Sequence, residues 1–250
     1  MPEINEKILA IDIGGSHIKA VTLDIDGKFL KDYEREITPQ PASPEKVIAL
    51  IKELASRFPE YDKIATGFPG YVKEGVVKTA PKLGSDLWKD YDLQKQLENT
   101  LGKPALVIND ADLQSLSLAK GQGLEMVITL GTGFGSAIMK DGLLLPHLEM
   151  SQHPITKGKN YNDYVGESAL LKIGNKKWNK RMENVIEILN VVFNYDHLFI
   201  SGGNAKRLTI KLDKKTSIEN NKDGIKGGAI LWKQENKKNK KIQTKTKTKK

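Results

Sequence analysis

One pattern occurs twice in this chain and limits its fold more than anything else: apolar run, glycine turn, apolar run, Asp-Gly turn, apolar run. The first copy comprises Ile8–Ile13, Gly14-Gly15-Ser16, His17–Asp24, Asp26-Gly27 and Lys28–Ile37. The second comprises Met126–Leu130, Gly131-Thr132-Gly133, Phe134–Met139, Asp141-Gly142 and Leu143–Leu145, with Gly133 following Gly15 by about 118 residues. Ser16 and Ser136 accompany the first turn of each copy. Alternating apolar positions around glycine turns spell antiparallel hairpins. Strand–glycine–strand is not the strand–glycine–helix order of Rossmann and Walker phosphate loops, so it argues against both. The repeat predicts an α/β protein of two similar lobes, residues 1–113 and 114–232. Each lobe is a β-meander with helices, and phosphates lie against the two glycine hairpins in a cleft between them.

The segments between the copies read as alternating helices and strands. Ser43-Pro44-Glu45 opens a helix with an N-cap serine and a proline in the first turn, and Val47, Ile48, Ile51, Leu54 and Ala55 recur at helical spacing. Lys63–Phe68 is a short strand closed by Pro69-Gly70, and Leu93–Leu101 a helix ended by Gly102. Ala105–Ile108 is a buried strand that delivers Asn109-Asp110 to the start of a helix. Gly121-Gln122-Gly123 reads as a hinge before the second copy. Later come helices from Asn162 to Gly174 and from Lys177 to Phe193, a strand His197–Ile200 leading into Ser201-Gly202-Gly203-Asn204, and a short last helix, Gly224–Trp232.

Composition removes several classes. The 250 residues contain no cysteine, which excludes disulfides and thiolate metal sites. No apolar run approaches the roughly 18–20 residues of a membrane span, and the polar start, Met1 to Lys7, lacks a signal-peptide pattern, so a cytoplasmic protein is expected. The net charge of +9 is carried almost wholly by residues 233–250, which are dense in lysine and hold one acid, Glu235. That tail has too little apolar surface to offset its ordering entropy and is expected to be disordered. It contains no aromatic residue for base stacking, so it offers a polyanion only nonspecific attraction and no specific nucleic-acid reading.

Four short stretches carry chemistry. Gly14-Gly15 and Gly131-Thr132-Gly133-Phe134-Gly135 free backbone amides for an anion and admit close approach. Ser201-Gly202-Gly203 is a third such turn after a strand. Asn109-Asp110 places a carboxylate at the C-terminal end of a buried strand, and the pair also suits a helix N-cap.

Taken together and in this order, these stretches resemble the ROK family (repressor, open reading frame, kinase) of the actin-like ATPase superfamily, whose fold is ribonuclease H-like. The resemblance runs from Ile8 to Trp232 and is strongest to the polyphosphate-glucokinase branch. Asp12-Ile13-Gly14-Gly15-Ser16-His17-Ile18-Lys19 is similar to its first phosphate motif, and Thr129–Ser136 to its second. Gly67-Phe68-Pro69-Gly70 and Thr79-Ala80-Pro81 resemble its sugar loops, Val107–Asp112 its catalytic motif, and Phe199–Gly203 the turn that holds adenosine in ATP-using relatives.

The resemblance implies a kinase that transfers a phosphoryl group from ATP or polyphosphate to a hexose, with glucose and its 6-hydroxyl as the expected acceptor. Asp110 is the implied general base and Asp12 the implied holder of Mg²⁺ through water. Gly14, Gly15, Ser16, Lys19, Thr132, Gly133, Gly135, Gly202 and Gly203 face the donor. Gly70, Asn109, Glu149 and Glu167 join Asp110 around the sugar. A homodimer is expected. Departures accompany the match. Gln152 stands where many members carry a zinc-binding histidine, so no zinc is expected. Lys82 replaces an asparagine in the sugar loop. The segment from Ser201 to Gly224 is short for an adenosine pocket. Because the first hairpin starts by residue 8, a DNA-binding repressor is not expected. A sugar sensor without catalysis, or a nucleic-acid-associated protein using the tail, are the alternatives. Retained Asp12 and Asp110 speak against the first.

Overall fold

The computed structural model describes residues 6–220 and 223–247, with side chains up to residue 239. The chain divides into two compact units: Met1–Ser117 with Asp223–Lys250, and Leu118–Lys222.

In the first unit, β1 (Ile8–Ile13) and β2 (His17–Leu23) form the hairpin predicted around Gly14-Gly15, followed by β3 (Glu34–Ile37). The third strand is shorter than expected, because Asp24 accepts hydrogen bonds from the Asp26 and Lys28 amides and holds that stretch as a turn. Helix α1 (Pro44–Ser56) begins at the predicted proline. It leads to β4 (Lys63–Phe68), then a three-stranded patch of β5 (Val72–Lys73), β6 (Val76–Val77) and β7 (Tyr91–Asp92), with the single turn α2 (Ser85–Trp88) between. Next come α3 (Leu93–Leu101), β8 (Ala105–Asn109) and α4 (Asp110–Leu116). The main sheet has the order β3-β2-β1-β4-β8. Strands β1, β4 and β8 are parallel, so their C-terminal ends lie side by side: Asp12 is opposite Gly67, and Phe68 opposite Asn109.

The second unit repeats the plan with β9 (Leu124–Leu130), β10 (Phe134–Lys140) and β11 (Leu143–Leu144) as its meander. A small hairpin, β12 (Pro154–Thr156) and β13 (Lys159–Asn160), precedes α5 (Tyr161–Val165), α6 (Glu167–Ile173) and α7 (Asn175–Phe193). Strands β14 (His197–Ser201) and β15 (Thr216–Ile218) complete a sheet of order β11-β10-β9-β14-β15, the same arrangement of hairpin then parallel strands. The single helix expected from Asn162 to Gly174 is split in two. Gly166 packs so closely that a β-carbon there would come within 2.6 Å of the Asn162 carbonyl oxygen and 3.1 Å of that of Thr132. The core of this unit forms on one face of the sheet, where Trp178, Met182, Val185 and Leu189 of α7 bury against Met126, Ile128 and Leu198.

The chain's end corrects two expectations. Helix α8 runs from Gly227 to Lys247, well past Trp232, and it belongs to the first unit and not to the second. Glycine explains the placement: a β-carbon on Gly228 would sit 2.9 Å from Ala65 and 3.3 Å from Ala10, so only glycine lets the helix lie on β1 and β4. Trp232, nearly buried, donates its indole N–H to the Ile64 carbonyl at 3.0 Å, and the Lys63 ammonium lies 4.9 Å from its ring centre. Packing of this first stretch supplies the costly nucleus, and lysine and glutamine are good enough helix formers for the turns beyond to propagate. Lack of apolar residues therefore does not leave residues 233–247 without structure, and residues 248–250 lie outside the described part.

Candidate active site

In the first unit the C-terminal ends of β1, β4 and β8 gather Asp12, the Gly67–Gly70 turn and Asn109-Asp110, the position at which parallel sheets bind ligands. The first glycine turn is held by contacts that the sequence did not reveal. Buried Thr38 donates its hydroxyl to the Gly14 carbonyl at 2.7 Å and its amide to the Ser16 carbonyl at 3.0 Å. The Gly14 amide closes the turn onto the His17 carbonyl at 2.9 Å, and Ser16 is exposed at the tip. Lys19, opposite Asp12 in the ladder, places its ammonium 3.8 Å from the Asp12 carboxylate.

Asn109 caps α4. Its side-chain oxygen accepts from the Ala111 and Asp112 amides at 2.8 and 3.2 Å, and its amide donates to the Gly70 carbonyl at 3.0 Å. These bonds fix Asp110 in the first turn of the helix, where the Ala111 amide also reaches its carboxylate at 2.8 Å. Gly70 is required by approach: a β-carbon there would fall 2.0 Å from the Thr79 carbonyl oxygen. The two sugar loops expected from the sequence, Gly67–Gly70 and Thr79–Pro81, are therefore in contact.

The electrostatics of this pocket are unusual for carboxylates. Burial pushes the Asp110 carboxyl from 3.8 up to about 7. The Lys82 charge pulls it back, Asp12 and Asp112 push it further up, and the Ala111 amide lowers it. Burial also raises Asp12, against the pull of Lys19 and then Lys82. A base poised near neutral pH is what proton abstraction at physiological pH needs.

The second unit assembles two glycine turns at the C-terminal ends of β9 and β14. The Gly131 amide donates to the Gly133 carbonyl at 3.1 Å. Asn204 anchors this turn from one side, donating to the Gly131 carbonyl at 3.1 Å, and Asn162 from the other, accepting from the Phe134 amide at 2.7 Å. Gly202 has φ +94°, and a β-carbon on it would lie 2.4 Å from the Leu130 carbonyl oxygen, so the Ser201-Gly202-Gly203 turn abuts the strand end directly. Gly135 lies within β10 opposite Thr129, one step from the turn. Glu167 is exposed at the start of α6, and its amide bonds the Thr132 carbonyl at 3.3 Å, which puts it beside this glycine turn. Glu149 sits before a short 3₁₀ turn, takes a hydrogen bond from Ser151, and lies 3.6 Å from His147. Gln152 continues this chain, donating to Ser151 at 3.1 Å and accepting from Asn160 at 3.3 Å. Asn162 and Thr38 escaped the sequence reading because no local motif marks them, whereas Asn204 directly follows the glycine pair.

A groove of about 440 Å³ lined by Lys120, Glu125, Asp196, His197 and Phe199 lies at the opposite end of β9 and β14 and holds none of these residues. Among the described residues, no cluster of three or more histidines and acids is disposed to hold a metal ion directly. No helix among them is long and apolar enough to cross a membrane.

Two units of one strand order, each presenting a glycine hairpin at the C-terminal ends of parallel strands, define the actin-like ATPase fold. Within that class the chain belongs to the ROK family, whose profile matches residues 8–146. It is 32% identical over 231 residues to a polyphosphate glucokinase of Mycobacterium tuberculosis (strain CDC 1551 / Oshkosh), covering 88% of this chain and 84% of the mycobacterial one. The crystal structure of the inorganic polyphosphate/ATP-glucomannokinase from Arthrobacter sp. strain KM superposes with a TM-score of 0.81 at 30% identity, over 91% of this chain and 98% of that one. A ROK glucokinase from Streptomyces griseus, crystallised with glucose and AMPPNP, shares the fold at a TM-score of 0.71 and 19% identity, over 90% of this chain and 98% of that one.

Proposed function

We propose that this chain phosphorylates glucose at its 6-hydroxyl, with Asp110 as general base and ATP or polyphosphate as donor. The chain is a phosphotransferase with a hexose acceptor, in line with the kinase names of its relatives. The observation that carries the finer reading is Asp110 itself: a carboxyl raised to about 7, fixed at a strand end beside Asp12 and the first glycine turn.

The step follows from the groups available. Asp110 takes the hydroxyl proton as the sugar oxygen bonds to phosphorus, and the bond from phosphorus to the donor's bridging oxygen breaks, its electron pair leaving with ADP or the shortened polyphosphate. Amides of Gly14, Gly15, Thr132 and Gly133 hold phosphate oxygens. Gly202 and Gly203 border the base of a nucleotide donor. Glu149 accepts from sugar hydroxyls, and Asn109, mostly committed to its cap, offers its remaining N–H. Exposed Glu167 is the weakest member of the sugar set.

Mg²⁺ suits this site in a hydrated form. Asp12 is a single hard oxygen donor, half-buried and raised by that burial, so a nearby cation is welcome, yet among the described residues no second and third carboxylate complete a cage. When bound, the ion neutralises charge on the donor phosphates. Asp12 would hold it through water, and Lys19 beside Asp12 favours the ionised form of that carboxylate against the effect of burial.

A coupled assay with glucose, mannose and N-acetyl sugars, each with ATP and with polyphosphate, tests the reading. Glucose turnover with at least one donor is expected. No phosphorylation of any sugar by either donor refutes it.

A further inference from the structure

We propose that Lys82 is a catalytic residue of this site, its ammonium contacting the phosphoryl group as it passes from donor to sugar. The inference rests on the kinase reading above and adds to it a residue of the sugar loop that carries charge where a neutral amide was expected.

The geometry is specific. Lys82 follows Pro81 in a loop pinned by its neighbours: Ala80 and Leu83 are buried, the Leu83 amide bonds the Ala80 carbonyl at 3.1 Å, and the Ala80 amide bonds the Ser85 hydroxyl at 3.2 Å. Between these anchors the Lys82 side chain lies over the first glycine turn. A β-carbon on Gly15 would come 3.4 Å from the Lys82 β-carbon and 3.8 Å from its Cδ. From there its charge acts on both Asp110 and Asp12.

The two lysines of the pocket differ in what they already hold. Lys19 is engaged with Asp12 at 3.8 Å. Lys82 has no hydrogen bond or ion pair among the described residues, although two carboxylates face it. An ammonium with three donors and no partner, lying over backbone amides freed for an anion, is placed for the same anion. During transfer the sugar oxygen bonds to phosphorus, the donor's bridging oxygen departs with the electron pair, and Asp110 receives the proton. Negative charge stays on the three remaining phosphoryl oxygens throughout, and Lys82 is the cation able to follow them from the donor side of Gly15 toward Asp110.

Lys82→Met and Lys82→Arg test this against wild type, with glucose and glucose 6-phosphate binding measured by calorimetry beside steady-state kinetics. Because Lys82 is exposed, thermal unfolding of both variants should match wild type. Lys82→Met should lose about 30-fold or more in kcat and bind glucose 6-phosphate about 10-fold more weakly, with glucose affinity within about threefold. Lys82→Arg should recover part of each loss. Unchanged kcat and product affinity in Lys82→Met would overturn the proposal, as would equal weakening of glucose and glucose 6-phosphate, which marks a sugar contact. Wild type without turnover would instead indict the kinase reading. Turnover that is lost in Asp110→Asn but kept in Lys82→Met would remove Lys82 alone.

Discussion

Asp110→Asn separates catalysis from stability in one substitution. Asparagine is nearly isosteric, and its side-chain oxygen can still accept from the Ala111 amide as the carboxylate does at 2.8 Å. Only the base is removed, so kcat should fall by about 10²-fold or more with saturating glucose, while glucose affinity changes little. Stability should move the other way. Folded Asp110 keeps its proton to about pH 7, whereas the unfolded chain releases it near 3.8, chiefly because burial penalises the charge. Ionisation therefore costs the folded state nothing below about pH 4, progressively more between pH 4 and 7, and its full amount above 7. A shift of about three units sets a ceiling of about 4 kcal/mol, and relaxation and hydration in the open pocket reduce it to about 1–3 kcal/mol. Asparagine never carries that charge, so the variant should be more stable than wild type at pH 8 and equal to it at pH 4. Urea unfolding at both pH values, with pH profiles of kcat/KM for wild type, provides the readout. The wild-type profile should lose activity on the acid side with an apparent pKa near 7. A profile flat from pH 5 to 8, together with variant activity within threefold of wild type, would refute both the role and the electrostatics behind it.

Gly202→Ala should destabilise the second unit by about 2–3 kcal/mol, since it combines φ +94° with a β-carbon 2.4 Å from the Leu130 carbonyl oxygen. Gly203→Ala, with nothing within 4 Å of its β-carbon, should stay within about 1 kcal/mol, and equal losses in urea unfolding would contradict the packing argument. Removing residues 240–250 spares the Trp232 anchor and discards lysines of α8. It should raise KM for long polyphosphate about threefold or more at low salt, leave kcat and the KM for ATP unchanged, and lose its effect as salt shortens the screening length to roughly 8 Å and below. Equal KM values with and without the segment would leave it no part in donor capture. Elemental analysis of protein purified without added metal should find well under one zinc per chain, and stoichiometric zinc would contradict the reading of Gln152 as the replacement of a zinc-binding histidine.

What the sequence determined by itself was local and periodic. Alternation around Gly14-Gly15 and Gly131-Thr132-Gly133 dictates hairpins because strand sterics and turn glycines act over a few residues, and repetition of that grammar implies repetition of the fold. Asn109-Asp110 after an apolar strand was legible for the same reason: a cap and a carboxylate at a strand end are neighbours in the chain. Tertiary structure decided the rest, since it depends on approach between distant segments. Gly228 against Ala10 and Ala65 sends α8 to the first unit and carries a helix into a lysine-rich stretch whose composition predicts disorder. Thr38 and Asn162 hold glycine turns that lie 24 and 28 residues away in sequence. The raised pKa of Asp110 has no sequence signal either, because it comes chiefly from burial, against the pull of Lys82 and with a push from Asp12, and only the fold brings these groups together.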